Sequence, residues 1–280
     1  MFEILEMRQL SADVTYYKIN APDIAKNRKA GQFVLVQLDA DFGERIPLTI
    51  ADANADEGWL VLVAQAVGAT TLKLSQKKVG DKLGAILGPL GNPTHIEKKG
   101  TVVCVGGGIG VAPLHPIVEA HKKVGNKVIM IMGARNKDLI IFEDEMRKLA
   151  DEVILMTDDG SAGTKGLVTE PLKKLCEQGG IAEVVAIGPP IMMKFATETT
   201  RPFGVPTVVS LNTIMIDGTG MCGGCRVTVD GQMKFVCVDG PEFDAHKVDF
   251  DNMMMRMKQF KDVETEHFHK CKLATQGAAK

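Results

Sequence analysis

"TVVCVGGGIGVAPL", residues 101–114, runs from β-forming residues through four glycines into an apolar helical stretch. An unbroken apolar run without polar alternation belongs to a strand covered on both faces. The glycines allow a tight turn and let a diphosphate reach main-chain amides. The helix that follows offers unpaired N–H donors and the positive end of its dipole. Pro113 falls in the first helical turn, where a missing N–H costs nothing. The stretch therefore reads as the opening of a dinucleotide-binding unit, with Gly107, Gly108, Gly110, Ala112 and Pro113 as candidate ligand contacts.

Downstream, "KVIMIM" (127–132), "EVILM" (152–156), "EVVAI" (183–187) and "TVVSL" (207–211) repeat the pattern, with helical stretches such as 142–150 and 168–178 between them. Strands alternating with helices predict a parallel α/β sheet, whose ligands lie beyond the carboxyl ends of the strands. Polar and glycine motifs stand at those ends: "GAR", "TDDGS" and "GPP", which add Arg135, Asp158, Asp159, Gly188 and Pro189 to the candidate set. A carboxylate after the third strand accepts hydrogen bonds from a ribose and repels a 2′-phosphate, so NAD(H) is expected over NADP(H). Arg135 and Lys137 stand close enough in sequence to offset that repulsion, and an Asp pair in "DDGS" also suits a turn.

Upstream, "FVLVQL" (33–38), "IPLTIA" (46–51) and "WLVLVA" (59–64) are short β-forming runs separated by Gly, Asp and Asn, as in a small antiparallel barrel. "TTLKLSQKK" (70–78) is a helical interruption. In "ERIPLTIA", Arg45 could pair with a diphosphate and the Thr49 hydroxyl could donate to a flavin ring nitrogen. Pro47 and Leu48 lie beside them. "AQAVGATTLKL" places Gln65, Val67, Gly68, Thr70 and Thr71 around the start of that helix, a second site open to a diphosphate.

The other end of the chain carries "DGTGMCGGCRVTVDGQMKFVC", 217–237. Cys222, Cys225 and Cys237 could be three ligands of a structural zinc site. Counting back from Cys222 also gives D-x₄-C-x₂-C-x₁₁-C, the plant-type [2Fe–2S] spacing with Asp217 in place of the first thiolate. The glycines of the loop would let its amides face the cluster sulfides. After residue 212 regular structure is expected only at "DFDNMMMRMKQF" (249–260). The tail, with His267, His269 and Cys271, reads as a frayed terminus rather than a metal site.

The 280 residues carry a formal charge of −2, which argues against a dedicated nucleic-acid binder. No stretch has the apolar length of a membrane span, and six scattered cysteines do not resemble a disulfide framework. The expectation is a cytoplasmic protein without a membrane or nucleic-acid partner.

With these motifs in this order, the chain resembles the ferredoxin–NADP⁺ reductase superfamily. Within it, the likeness is to the branch of dihydroorotate dehydrogenase electron-transfer subunits and the small subunits of NADH-dependent ferredoxin:NADP⁺ oxidoreductases, also called sulfide dehydrogenase subunits. It runs over about residues 1–260. "SLNTIMIDGTGMCGGCRVTVDG" and "FVCVDGPEFDAHKVDFD" are its most specific pieces. The resemblance implies an FAD-binding antiparallel barrel (1–95), a parallel-sheet nicotinamide-binding domain (96–211), and a C-terminal [2Fe–2S] loop with a partner-binding helix and tail (212–280). It implies FAD on an R-x-(Y/F/I)-(S/T) motif, from which this chain departs: Ile46 takes the Arg position, Arg45 precedes it, and Thr49 fits the last position. Gly68 and Thr71 match a G-x-(G/A/T)-T element.

The implied activity is hydride exchange with NAD(H) beside Thr49. Single electrons then pass to a large FAD/[4Fe–4S] subunit in a heterodimer that bifurcates electrons among NADPH, ferredoxin and NAD⁺. A dihydroorotate- or sulfide-linked subunit is the alternative, although the dihydroorotate branch has Cys where Asp217 stands. From another class, a nucleotide-binding regulatory protein with structural zinc also fits the motifs.

Overall fold

The computed structural model describes residues 2–39 and 43–277. Seven strands form the N-terminal half: β1 (Phe2–Gln9), β2 (Val14–Asn20), β3 (Phe33–Gln37), β4 (Arg45–Asn54), β5 (Trp59–Gln65), β6 (Lys82–Leu83) and β7 (Ala85–Leu90). They pair antiparallel in the order β6-β1-β2-β5-β4-β3-β7, a nearly closed barrel. Two helices interrupt it, α1 (Pro22–Asn27) and α2 (Ala69–Ser75).

The period of two explains why the barrel's runs are continuously apolar rather than alternating. In β3, Val34 and Val36 fill the barrel while Phe33 and Leu35 join the core of the following domain. In β5, Leu60 and Leu62 face inward while Val61 and Val63 pack with the strands and helices of that domain. These strands are walls with a core on each side, so the two units share packed interiors.

The second sheet runs in the order β11-β10-β9-β8-β12-β13-β16. Six of its strands, β8 (Thr101–Gly107), β9 (Lys127–Ala134), β10 (Glu152–Thr157), β11 (Thr164–Lys165), β12 (Ile181–Ile187) and β13 (Thr207–Ser210), are parallel, and β16 (Glu242–Asp244) is antiparallel at the edge. Helices α3 (Val111–Lys123), α4 (Glu143–Leu149), α5 (Thr169–Gln178) and α6 (Pro190–Thr200) connect or flank them. From β8 the chain builds outward to β9 and β10, then returns to place β12 on the other side of β8. The order of strands reverses between β8 and β12. The crevice above that reversal is where open α/β sheets bind ligands.

The C-terminal region is more regular than expected. β14 (Arg226–Val229) and β15 (Gln232–Phe235) form a hairpin. Its two-residue turn, Asp230–Gly231, has φ of 52° and 71°. Positive φ at both central residues matches the strand twist, the geometry that an Asp-Gly pair favours. Helix α7 (Val236–Asp239) follows, and then β16 (Glu242–Asp244), which adds antiparallel to β13. The expected helix is α8 (Phe250–Met257). The tail does not fray at residue 261: it forms α9 (Lys261–Gly277), whose Cys271 Sγ lies 3.9 Å from the Ala69 carbonyl of α2. Residues 278–280 of the tail lie outside the described set. His267 and His269 ride on α9, and no cluster of three metal-ligating side chains occurs among the described residues. No helix among them is long and apolar enough to cross a membrane.

A polar seam ties the barrel's exit to β16. Thr94 Oγ1 donates to Glu242 Oε1 at 2.6 Å. The space is reserved by Gly31 at φ +83°, where a Cβ would stand 2.2 Å from that hydroxyl. Burial raises the Glu242 carboxyl from 4.5 to about 7, opposed by the Thr94 hydrogen bond and reinforced by Glu183. The folded protein therefore holds this proton more tightly than the unfolded chain, and stability is lost as pH rises from about 4.5 to about 7. Glu242→Gln keeps the acceptor for Thr94 without the charge. It is expected to exceed the parent in stability by about 2 kcal/mol at pH 8 and to match it near pH 4, as read from urea melts.

Candidate functional site

A cavity of about 970 Å³ opens between the barrel and the switch point. That volume is at the upper end of small-molecule sites. The barrel contributes Phe33, Pro47, Thr49 and Gln65 to its wall. The second sheet contributes Gly107, Gly108, Gly110, Pro113, Arg135, Asp158, Gly188 and Pro189. Eleven of the nineteen nucleotide- and flavin-site candidates thus face one space, although they come from positions 47 to 189.

The adjoining glycines have different jobs. A Cβ on Gly107 would meet Met192 Sδ at 2.3 Å, and one on Gly110 would meet the Ile187 carbonyl oxygen at 2.3 Å. Gly107 permits close packing of β8 against the start of α6, and Gly110 that of the turn against the end of β12. Gly108 has φ +54° and nothing within 4 Å of where its Cβ would be. The open side of Gly108 is the cradle that a diphosphate can approach, directly before α3.

The "TDDGS" pair divides. Asp158 lines the cavity. Asp159 does not; its Oδ1 accepts from the Ser161 amide at 2.9 Å, and that residue's hydrogen bonds hold its carboxyl below the usual range. Asp158 is thus the carboxylate available to a ribose, and Asp159 shapes the turn.

Other candidates lie outside the cavity wall. Arg45 is exposed and donates from Nε to Gln37 Oε1 at 3.1 Å. Leu48 packs on the barrel core, and Ala112 is wholly buried in α3. Val67 is exposed. Thr70 Oγ1 donates to Glu44. Thr71 is occupied as a cap: its Oγ1 accepts from the Gly68 amide at 3.0 Å and donates to the Gly68 carbonyl at 3.1 Å. Gln65 lines the cavity while its Nε2 donates to Asp13 Oδ2 at 2.8 Å, which fixes its amide.

The structure adds residues that no motif announced. Leu167, Ile191 and Phe195 line the cavity though each is about half exposed. Ile191 and Phe195 stand four apart on α6, hence on one face, which was the available sequence signal. Thr213, on the segment leaving β13, also lines the cavity, and its Oγ1 is buried without a hydrogen-bond partner. A buried hydroxyl left unpaired costs about 1–3 kcal/mol, so a polar ligand edge beside Thr213 has a ready donor.

The cysteine loop packs against the barrel. A Cβ on Gly218 would lie 2.8 Å from both Leu35 and Leu90 side chains, and Leu35 is the register partner of Pro47 on the cavity wall. Asn92, just after β7, donates through Nδ2 to the carbonyls of Val238 and Asp239, at 3.1 and 3.0 Å. Cavity and loop therefore share one barrel strand pair.

Within the loop, Cys225 and Cys237 are buried with their sulfurs 3.2 Å apart and not bonded. Burial, then the neighbouring Cys225, pushes the Cys237 thiol up to about 12. Cys222 is exposed; its Sγ accepts from the Gly224 amide at 3.5 Å. Asp217 accepts from the amides of Thr219 (2.9 Å) and Cys222 (2.6 Å), and those bonds, Thr219 first, hold its carboxyl below the usual range. The structure thus joins two of the four candidate ligands and holds the other two on the same Gly-rich loop. The donor set suits an iron–sulfur cluster: three thiols, one ionised carboxylate, and backbone amides already directed at Cys222 and Cys225 sulfurs.

Comparison with known proteins agrees with this geometry. Residues 104–198 match the oxidoreductase NAD-binding domain, and residues 212–249 match the iron–sulfur cluster binding domain of dihydroorotate dehydrogenase B. The chain is 50% identical over 262 residues to a Thermotoga maritima homologue of the dihydroorotate dehydrogenase B (NAD⁺) electron transfer subunit, covering 94% of this chain and 92% of that one. It is 35% identical over 253 residues to the electron transfer subunit of Desulforamulus reducens, covering 88% and 96%. A solved NADH-dependent reduced ferredoxin–NADP oxidoreductase, studied for flavin-based electron bifurcation, superposes with a TM-score of 0.91 at 47% identity, covering 96% of this chain and 97% of that one. The chain belongs to the family of dihydroorotate dehydrogenase B electron-transfer subunits and their homologues, and is an oxidoreductase that binds flavin, NAD and an iron–sulfur cluster.

Proposed function

We propose that this chain is the NADH-side subunit of an electron-bifurcating NADH-dependent ferredoxin:NADP⁺ oxidoreductase, paired in a heterodimer with a large FAD/[4Fe–4S] subunit. The carrying observation is the shared barrel strand pair, with Pro47 on the cavity wall and its partner Leu35 under the cysteine loop. An FAD held against this wall would supply the conversion of a two-electron hydride into single electrons, and an iron–sulfur cluster held by Asp217, Cys222, Cys225 and Cys237 would carry them one at a time.

The chain's own residues position and shield. Gly108 and the amides opening α3 hold the dinucleotide diphosphate. Asp158 accepts from the adenine-side ribose, with Arg135 beside it. Gly188 and Pro189 form the facing edge of the crevice, and Leu167, Ile191 and Phe195 exclude water. Thr49 and Thr213 supply hydroxyl donors to the flavin edge, with Pro47 and Gln65 shaping its bed. Arg45, Gly68 and Thr70 border the flavin's diphosphate end. Asp217, Cys222, Cys225 and Cys237 hold the cluster. No acid–base side chain is required for hydride movement; alignment and a dry site suffice.

Met221 is 88% exposed at the loop tip, with Ile216 and Val238 also exposed, an apolar rim suited to a partner that receives single electrons. Thiol ligands of this kind fit the reducing cytoplasm.

Asp158→Ala is expected to lower kcat/KM for NADH about tenfold and to raise that for NADPH, since the ribose acceptor and the repulsion go together. Steady-state reduction of ferricyanide with each nucleotide reads both. For the whole reading, the complex purified with its large partner should oxidise NADPH only when NAD⁺ and ferredoxin are both present. NADPH oxidation that ignores ferredoxin, or electron delivery from dihydroorotate, would overturn it.

A further inference from the structure

Strand β4, which carries Thr49, changes register against β5 between Ile50↔Leu62 and Asp52↔Val61, so Ala51 is an extra residue without a ladder partner. Such a bulge bends its strand and re-aims the residues beside it. The Ala51 carbonyl is met from the other unit by His115, whose Nδ1 lies 3.1 Å from it. A carbonyl oxygen only accepts, so Nδ1 carries the hydrogen. His115 stands on α3, the helix that opens at the diphosphate turn. The ring is braced from behind by Phe142 in an edge-on contact, centroids 5.6 Å apart at 68°. Phe142 holds that place at φ 60°, a conformation bulky residues rarely adopt. Pro116, the next residue, sits inside α3, where its ring removes a helical N–H donor.

We propose that His115 is a positioning residue for hydride transfer: its bond to the bulged Ala51 carbonyl fixes the Thr49 strand relative to the helix that holds the dinucleotide, and so sets the alignment of nicotinamide against flavin. Three observations meet at one ring: a strand bulge two residues from the cavity wall, an inter-unit hydrogen bond, and a strained phenylalanine behind it. Barrel residues Val14, Val61 and Val63 share one apolar cluster with Val111, Leu114 and Val118 of α3, packing that resists separation but tolerates sliding.

The test uses the flavin- and cluster-loaded protein. His115→Phe keeps the ring and removes the donor; His115→Gln keeps a donor at similar reach. In stopped flow, His115→Phe is expected to slow flavin reduction by NADH by roughly tenfold to a hundredfold and to weaken the long-wavelength charge-transfer band formed with the nucleotide. FAD content and the NADH dissociation constant should stay within about twofold, and His115→Gln should recover most of the rate and band. A His115→Phe protein with the parent's rate and band would overturn the assignment. So would one that loses its FAD, because the residue would then serve flavin retention rather than alignment. Parent protein whose flavin NADH does not reduce would instead sink the proposed function, and this role with it.

Discussion

Cys225→Ala is expected to give a protein whose flavin is still bleached by NADH but which passes almost no electrons to its partner. Cys225 is 1% exposed, packed sulfur to sulfur with Cys237, and receives the Cys237 amide at 3.5 Å. Changes in residues that merely support a metal ligand cost about 10–100-fold in affinity, so removing a buried ligand should lower cluster occupancy by more than about a hundredfold. Cys225 is not part of the cavity lining, which therefore keeps its residues. Ferricyanide, which takes electrons directly from flavin, should therefore be reduced at near the parent rate, while partner-dependent turnover is lost. Equal loss of both activities would mean that the loop also supports the flavin bed.

The second large effect separates two glycines that look equivalent in "GGGIG". Gly110→Ala should destabilise the fold by about 3 kcal/mol, the high end of overpacking, because the three atoms nearest its methyl are all backbone. Those atoms are the Ile187 oxygen at 2.3 Å, the Ile187 carbonyl carbon at 2.7 Å and Gly188 Cα at 2.8 Å. The strain falls at the switch point, so the turn after β8 is pushed from the end of β12. Gly108→Ala meets no atom and should cost only about 1 kcal/mol for its left-handed φ. Its methyl projects into the dinucleotide's space, and the NADH dissociation constant should rise by about tenfold or more. Urea melts and NADH titrations on the two variants read the contrast. Equal stability of both would refute the division of roles.

The α/β half was legible because its signals are long and redundant: five apolar runs, the first four ended by polar or glycine motifs where ligands gather. The barrel was legible as a class. Which of its strands face two cores was hidden, since a continuous run such as "FVLVQL" gives no clue that Val34 faces the barrel and Leu35 the neighbouring domain. The hairpin at Asp230–Gly231 carried a readable turn signal, but the short strands beside it were obscured by the glycine-rich loop. The tail helix owes its visibility to packing on α2 rather than to an apolar stripe. At the site, spacing found the loop ligands and the glycines. It could not tell Asp158 from Asp159, nor show that the Thr71 hydroxyl is consumed by Gly68, because each depends on where a side chain turns. Thr213 lies inside a quoted stretch that did not single out its hydroxyl, and His115 belongs to no motif; one is an unpaired hydroxyl and the other a bond across units.

In the proposed function, electrons enter from NADH at the cavity and leave through the loop. Anaerobic titration of the purified protein with NADH, followed by low-temperature EPR and by iron and acid-labile sulfide analysis, tests it most directly. The predicted result is about two irons and two sulfides per chain, with a reduced [2Fe–2S] signal growing as NADH is consumed. Flavin that bleaches while the iron signal never develops, or protein without labile sulfide, would contradict it.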